Sequence, residues 1–195
     1  MKPLPGSLAE AHGLHLKALS DAGQLSQDTG LSRKELDISP AAPCRVGIDP
    51  GLTGAVAFLW GGGRVDVFDI PVLPRLSGKG TQVNARQLYL ILNTAPPGAL
   101  VYFEQVNPMP GQGVTSMFHF GRTVGVIEGV LGSLGLPYEM VRPQVWKKGA
   151  GLLKKEKDAS RTLALQLYPQ VSDKLARKKD NGRAEAILIA RYGAG

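Results

Sequence analysis

Arg45 to Leu59, RVGIDPGLTGAVAFL, is the stretch that decides the fold of this chain. Two β-rich apolar runs flank a turn with one proline and two glycines, which predicts a strand, a tight turn and an antiparallel strand. Asp49 is the last residue of the first run, so its carboxylate is predicted to lie at the end of a buried strand. A charge there requires a cation or metal ion as partner, unless the side chain caps the turn. Both interpretations stay open on this stretch alone.

Further strands and helices are predicted downstream. Residues 64–70 alternate polar and apolar residues, and residues 99–106 are apolar almost throughout, as in a strand buried on both faces. Residues 71–83 contain two prolines and two glycines and are predicted to form a mobile loop. The other predicted elements are helices at 84–93, 116–134 and 154–168, a short strand at 138–141, and a helix starting near Gly182.

This order of elements predicts an α/β protein. Hairpin-connected strands come first, and strand–helix alternation follows, so we expect a five-stranded mixed sheet with helices on both faces. That arrangement is typical of the ribonuclease H-like fold. The helix at 116–134 carries four glycines, which we expect to allow a close approach to the sheet or to another helix: Gly121, Gly125, Gly129 and Gly132.

The composition is that of an ordinary globular protein, with 43% hydrophobic and 20% charged residues among 195. No apolar run approaches the length of a membrane span, and the first residues lack the pattern of a signal peptide, so we expect neither. The single cysteine excludes an internal disulfide and suits a reducing compartment. Residues 1–43 are predicted to be a flexible or partly helical extension, and residues 44–195 the main domain. The acidic residues of the extension argue against an organellar presequence, so we expect a cytoplasmic protein.

The net charge of +7 is concentrated in one block. Residues 142–183 carry twelve basic and four acidic side chains, whereas residues 44–141 carry six of each. A nearly neutral body with one strongly basic segment favours a polyanionic partner such as nucleic acid.

Three carboxylates stand in apolar surroundings where folding does not need them: Asp49, Glu104 and Glu185. Two end neighbouring predicted strands and one lies in the last helix, so they could converge on one cleft. Clustered carboxylates take up protons unless cations neutralise them, and oxygen ligands suit Mg²⁺ or Mn²⁺. A two-ion carboxylate site beside a basic surface suits phosphodiester hydrolysis. The alternative is three carboxylates that are paired separately.

Three segments resemble the signature segments of RuvC-type Holliday junction resolvases, in the branch found in phages, bacteria and chloroplasts. They are Gly47–Gly51 (GIDPG), Phe103–Val106 (FEQV) and Lys179–Ala186 (KDNGRAEA), and the resemblance extends from Arg45 to about Tyr192. It implies a homodimer that nicks two strands of a four-way DNA junction symmetrically. It also implies that Asp49, Glu104 and Glu185 are metal ligands, with two ions in each active site.

The third segment departs from the family pattern. The branch usually has an acidic residue, or sometimes histidine, three or four positions before the last carboxylate, where this chain has Gly182 and Asn181. Spacing of four places Asn181 on the helical face of Glu185, where its carbonyl oxygen could be a neutral metal ligand. Asp180 precedes the helix and is a second candidate for catalysis.

The remaining site candidates are aromatic and basic. Phe118, His119 and Phe120 begin the long helix, and an aromatic side chain near this position enters the junction centre in the resembled family. Lys147 and Lys148 follow Trp146, and one of them could stabilise the scissile phosphate; Lys148 is the one assigned to catalysis. The other residues assigned to phosphate contact are Lys154, Lys155, Arg177, Lys178, Lys179 and Arg183.

Three functions are compatible with these residues. The first is a metal-dependent endonuclease for four-way junctions. The second is a protein that binds junctions with weak or no cleavage, because Asn181 replaces an acidic ligand. The third is an ATPase of the sugar-kinase and actin type, since residues 49–53 resemble its phosphate loop. That enzyme needs a second subdomain that 195 residues hardly accommodate, and it gives Glu104 no role.

Overall fold

A computed structural model of the protein describes residues 44–76, 79–107, 111, 113–156 and 158–193. The extension predicted for residues 1–43 lies outside the described residues. The strands of the described part are β1 (Arg45–Ile48), β2 (Ala55–Leu59), β3 (Val65–Asp69), β4 (Val72–Pro74), β5 (Thr81–Val83), β6 (Leu100–Glu104) and β7 (Tyr138–Val141). Its α-helices are α1 (Ala85–Leu92), α2 (Val114–Leu134), α3 (Pro143–Gly149), α4 (Ala159–Leu167) and α5 (Asn181–Tyr192).

Five strands form one mixed sheet in the order β3-β2-β1-β6-β7. β2 runs antiparallel to both of its neighbours, β3 and β1, whereas β6 runs parallel to β1 and β7 runs parallel to β6. This strand order, in which β2 alone runs opposite to the other four strands, is that of the ribonuclease H-like fold. The fold predicted from the sequence is therefore confirmed.

The two faces of the sheet pack against different helices. In β2, Ala55 and Ala57 belong to a core that includes buried residues of α5, whereas Val56 and Phe58 belong to a core that includes residues of α1 and α2. This alternation is the period of two that a strand buried on both faces requires. None of the described helices has the length and apolar character needed to cross a membrane.

Helix α5 lies directly on the central strand because β1 contains a glycine. A Cβ atom added to Gly47 would stand 2.1 Å from the carbonyl oxygen of Ala186 and 2.4 Å from the backbone nitrogen of Ala190. No other residue fits at this position without moving the helix backbone. The close packing brings the first turns of α5 to the end of β1, which Asp49 follows.

The mobile loop predicted for residues 71–83 is wrong. β4 and β5 form an antiparallel two-stranded sheet, with Val72 opposite Val83 and Pro74 opposite Thr81. Proline is compatible with this position because a two-stranded ribbon has only edge strands. The hairpin is joined to α2 by the side chains of Arg75 and Arg122, which contact His119 and Gln82 respectively.

The close approach predicted for the glycines of the long helix is absent from the described chain. Gly121, Gly125, Gly129 and Gly132 are exposed, and a Cβ atom at any of them would meet no heavy atom within 4 Å. The helix is buried through other positions, among them Ile127 and Leu131. The sequence pattern identified a stripe of small residues correctly, but this stripe faces away from the sheet.

We expect the substitution Gly47→Ala to lower the free energy of unfolding by about 3 kcal/mol or more, because the new methyl group collides with the backbone of α5. Urea denaturation followed by circular dichroism measures the change. Gly113→Ala is the matched control, since a Cβ atom at this exposed residue meets nothing within 4 Å. A loss below 1 kcal/mol for the Gly47 variant would contradict the packing described here.

Candidate active site

Asp49 lies immediately after β1, in the turn that leads to β2. The backbone N–H of Gly51 donates to Asp49 Oδ1 at 3.3 Å, so the side chain does cap the turn, as one interpretation of the sequence held. Burial raises the pKa of Asp49 to about 7, and the charge of Glu104 contributes in the same direction. The residue therefore caps the turn and also belongs to a cluster of acids.

Glu104 is the last residue of β6 and is 9% exposed. Ile48 pairs with Phe103 in the parallel ladder, so Asp49 and Glu104 follow paired residues at the same edge of the sheet. The indole Nε1–H of Trp146 donates to Glu104 Oε1 at 2.9 Å. Burial raises the pKa of Glu104, and this hydrogen bond opposes the rise.

Glu185 comes to the same region from α5. The charge of Glu185 raises the pKa values of both Asp49 and Glu104, which shows that the three carboxylates are electrostatically coupled. Gly182 brings the start of the helix close, because a Cβ atom at this position would stand 3.1 Å from Asp49 Oδ2. Lys147 Nζ lies 4.0 Å from Glu185 Oε1 and is the nearby cation.

The chemistry of these side chains fits a divalent cation, although their present positions do not enclose one. The donors are carboxylate oxygens, and their mutual repulsion would be relieved by a cation. Across the described ranges, however, no group of three or more His, Cys, Asp or Glu side chains could hold a metal ion as it stands.

The structure surrounds Asn181, the predicted neutral ligand, with an unusual environment. Its Oδ1 atom is buried and has no hydrogen-bond partner among the described residues. Asn181 also lines a cavity of about 280 Å³ together with Glu156, Asp158 and Lys178. An unpaired buried carbonyl oxygen is costly, so this atom retains an unused capacity to accept a hydrogen bond or to contact a cation.

The structure gives no support to a catalytic role for Asp180. Its side chain is 3% exposed and pairs with Arg177, whose Nη2 lies 2.8 Å from Asp180 Oδ1. The backbone N–H of Arg177 also donates to Asp180 Oδ2, at 2.8 Å. These hydrogen bonds lower the pKa of Asp180 and fix its side chain in the turn before α5. Both arginines predicted to bind DNA are therefore paired with carboxylates inside the protein. Arg177 pairs with Asp180, and Arg183 donates to Asp69 through two nitrogens.

Of the two neighbouring lysines, Lys147 is the one that approaches the acids. Its charge lowers the pKa values of Asp49 and Glu104, whereas Lys148, which was assigned to catalysis, is exposed and outside these contacts. Sequence spacing could not show which of the two lysines faces the acids, because a one-residue change in the phase of the helix would exchange the directions of their side chains. The other predicted phosphate-binding lysines are all exposed: Lys154, Lys155, Lys178 and Lys179.

The three aromatic candidates of α2 have different surroundings. Phe118 is 63% exposed and stacks edge-on against His119, with ring centroids 5.7 Å apart. His119 Nε2 lies 2.9 Å from Arg75 Nη1, and it accepts this hydrogen bond because a guanidinium only donates. Phe120 is partly buried and lines a cavity of about 750 Å³.

The chain is similar to known proteins both in sequence and in structure. The chain is 34% identical over 158 residues to "Holliday junction resolvase MOC1, chloroplastic" of Chlamydomonas reinhardtii; the match covers 68% of this chain and 18% of that protein. This match confirms the resemblance to RuvC-like resolvases. No protein-family model matches the sequence.

The structural similarities are to RuvC of Thermus thermophilus. One solved structure of it is 16% identical, with a TM-score of 0.45, over 76% of this chain and 95% of that one. Another, described as a complex with Holliday junction substrate, is 14% identical, with a TM-score of 0.48, over 76% of this chain and 91% of that one.

We expect Asp49→Asn to stabilise the protein at pH 8 in the presence of a chelator, by about 2–4 kcal/mol in urea denaturation. The unfolded carboxyl ionises near its usual pKa of 3.8, whereas the folded one ionises at about 7, so wild-type stability falls between these values as the pH rises. The variant avoids this loss, and its advantage should nearly vanish at pH 4. Asp173→Asn, at an exposed residue, is the control. An equal effect of Asp49→Asn at both pH values would contradict the raised pKa of Asp49 in the folded protein.

Proposed function

We propose that residues 44–195 form a RuvC-like nuclease domain that cuts four-way DNA junctions in a reaction that requires Mg²⁺ or Mn²⁺. The observation that carries the proposal is the grouping of Asp49, Glu104 and Glu185 at one edge of the sheet, where burial, with a contribution from the other two acids, raises the pKa of Asp49 to about 7. Such a perturbed acid cluster is typical of functional sites. The name of the matching protein supports the choice of substrate, although the chain spans only 18% of that protein's length.

In this proposal the three carboxylates hold the divalent cations, two in each site, and Asn181 Oδ1 is a neutral ligand beside them. When bound, the ions would activate a water molecule and neutralise charge on the phosphate. The protein contributes fixed oxygen donors on two strand ends and one helix. Burial of Glu104 excludes water from one side of the site and strengthens its electrostatic interactions.

Lys147 is the residue that we assign to the phosphate, in place of Lys148. Its ammonium group lies 4.0 Å from the carboxylate of Glu185. From this position beside the acids, Lys147 would donate to a phosphate oxygen and offset its negative charge. Lys148 would then contact DNA outside the reacting group, together with the exposed lysines of the basic block.

The junction itself is proposed to be recognised by shape and charge. Phe118 is the aromatic residue that we expect at the junction centre, because it is 63% exposed while Phe120 is partly buried. A large apolar side chain that is exposed on a helix can insert between bases. The basic segment 142–183 would follow the backbone without reading sequence.

We further propose that the domain acts as a homodimer, so that two sites cut two strands symmetrically. The glycine stripe of α2 supports this, because its exposed surface lets a second helix approach closely and meets nothing in the monomer. Val114 and Met117 are exposed apolar residues on the same helix. The cytoplasmic location expected from the sequence stays a prediction, since the matching relative is named as chloroplastic.

The test is incubation of the full chain with a synthetic four-way junction, a linear duplex and a single strand, each in Mg²⁺ and in Mn²⁺. We expect paired, symmetric nicks in the junction alone, and a loss of about 100-fold or more in Glu185→Gln because a charged ligand is removed. Denaturing gels of end-labelled strands measure both. Equal cutting of all three substrates would contradict junction selectivity.

The second candidate function is a junction-binding protein with weak or no cleavage. It is favoured by Asn181, whose side chain supplies an oxygen without charge. If the chain is an impaired nuclease, Asn181→Asp should raise the cleavage rate about tenfold and lower the Mg²⁺ concentration required. Asn84→Asp is the matched control, since Asn84 caps α1 and aspartate caps equally well. Equal rates in the two variants would favour the dedicated binder.

A further inference from the structure

Trp146 contacts the acid cluster from a helix that carries none of its carboxylates. Its side chain is 0% exposed, and its Nε1–H donates to Glu104 Oε1 at 2.9 Å. Among the described residues it is the one hydrogen-bond donor to the Glu104 side chain. We propose that Trp146 is a positioning residue, which fixes the Glu104 carboxylate so that its second oxygen, Oε2, is presented to a divalent cation. This inference rests on the proposed function and deepens it.

An indole is suited to this task because it is neutral and only donates. The indole N–H can only donate, so the carboxylate is held as the acceptor, and the negative charge of Glu104 stays intact for a cation. A lysine or arginine in the same place would orient the carboxylate too, but its charge would compete with the metal ion. Hydrogen bonds to metal-binding carboxylates from outside the ligand set are known to control metal affinity.

The ring of Trp146 cannot turn away from Glu104. The ring belongs to the same buried core as Tyr102 of β6 and Ile187 and Leu188 of α5. It is therefore packed within the core shared by β6, which carries Glu104, and α5, which carries Glu185. A closely packed ring has one orientation, and its N–H therefore has one direction. The position of Oε1 is set by packing as well as by the hydrogen bond.

Helix α3 thereby contacts two of the three acids through consecutive residues. Trp146 holds Glu104, and Lys147 pairs with Glu185 while its Nζ lies 5.1 Å from the Trp146 ring centroid. A change at Trp146 should therefore alter how the site binds a cation without removing any ligand.

The chain offers a matched control for this contact. Trp60 is the other tryptophan, and its Nε1–H also donates to a carboxylate, Asp66 Oδ2, at 2.7 Å. Asp66 lies in β3 and is not among the charges that shift the pKa values of Asp49 or Glu104. Each variant removes one hydrogen bond between an indole and a carboxylate. Trp146→Phe removes one inside the acid cluster, and Trp60→Phe removes one outside it.

The experiment measures Mn²⁺ binding by electron paramagnetic resonance of the free ion, with the full-length wild type and both variants. We expect Trp146→Phe to weaken Mn²⁺ binding about tenfold or more and Trp60→Phe to leave it unchanged. In junction cleavage, Trp146→Phe should raise the half-saturating Mg²⁺ concentration by a similar factor while the rate at saturating Mg²⁺ approaches that of wild type. A merely structural role would lower the rate at every Mg²⁺ concentration without this shift.

Equal Mn²⁺ affinities of the two variants would overturn the inference, as would an absence of Mn²⁺ binding by the wild type. If the wild type binds Mn²⁺ but cuts no junction, the proposed function fails while the affinity comparison still tests Trp146. Should Trp146→Phe not fold, Trp60→Phe leaves Trp146 as the sole tryptophan, which can be excited selectively over the tyrosines. Its emission should then change saturably with Mg²⁺ and lose this response in Glu104→Gln. Unchanged emission during Mg²⁺ binding detected by calorimetry would also overturn the inference.

Discussion

The close contact between α5 and β1 is the constraint on which the rest of the structure depends. The backbone of the helix at Ala186 and Ala190 occupies the space that a side chain at Gly47 would need. Because the helix lies on the strand, its first turn meets the turn after β1, where Gly182 packs against Asp49. The acid of the last helix is thereby brought to the acids of two strands that precede it by many residues.

Bringing carboxylates together has an electrostatic cost, and the protein offsets it only partly. The N–H of Gly51 and the charge of Lys147 favour ionised Asp49, yet burial and the charge of Glu104 outweigh them and raise its pKa. A site of this kind stores unfavourable charge that a cation can neutralise.

Much of the fold could be predicted because its signals are local. The turn in residues 49–54 and the apolar strand that ends at Glu104 identify the centre of the sheet, and acids that interrupt apolar runs are conspicuous. The hairpin of residues 72–83 was missed because its prolines and glycines resemble a loop, and only pairing across the turn reveals the strands. The engagement of Asp180 by Arg177 and the approach of Lys147 depend on side-chain direction, which sequence spacing does not determine.

The hydrogen bond between Arg75 and His119 makes the attachment of the small hairpin sensitive to acid. His119 must be neutral to accept from Arg75, and burial together with the charges of Arg75 and Arg122 lowers the pKa of its imidazole. Proton uptake would convert the acceptor into a second cation and replace the bond with repulsion. The attachment is therefore intact above the titration range of His119 and weakens as the pH falls through it. Acidification would therefore break one of the two side-chain links between this ribbon and α2, while the hydrogen bond from Arg122 to Gln82 and the burial of Val83 remain.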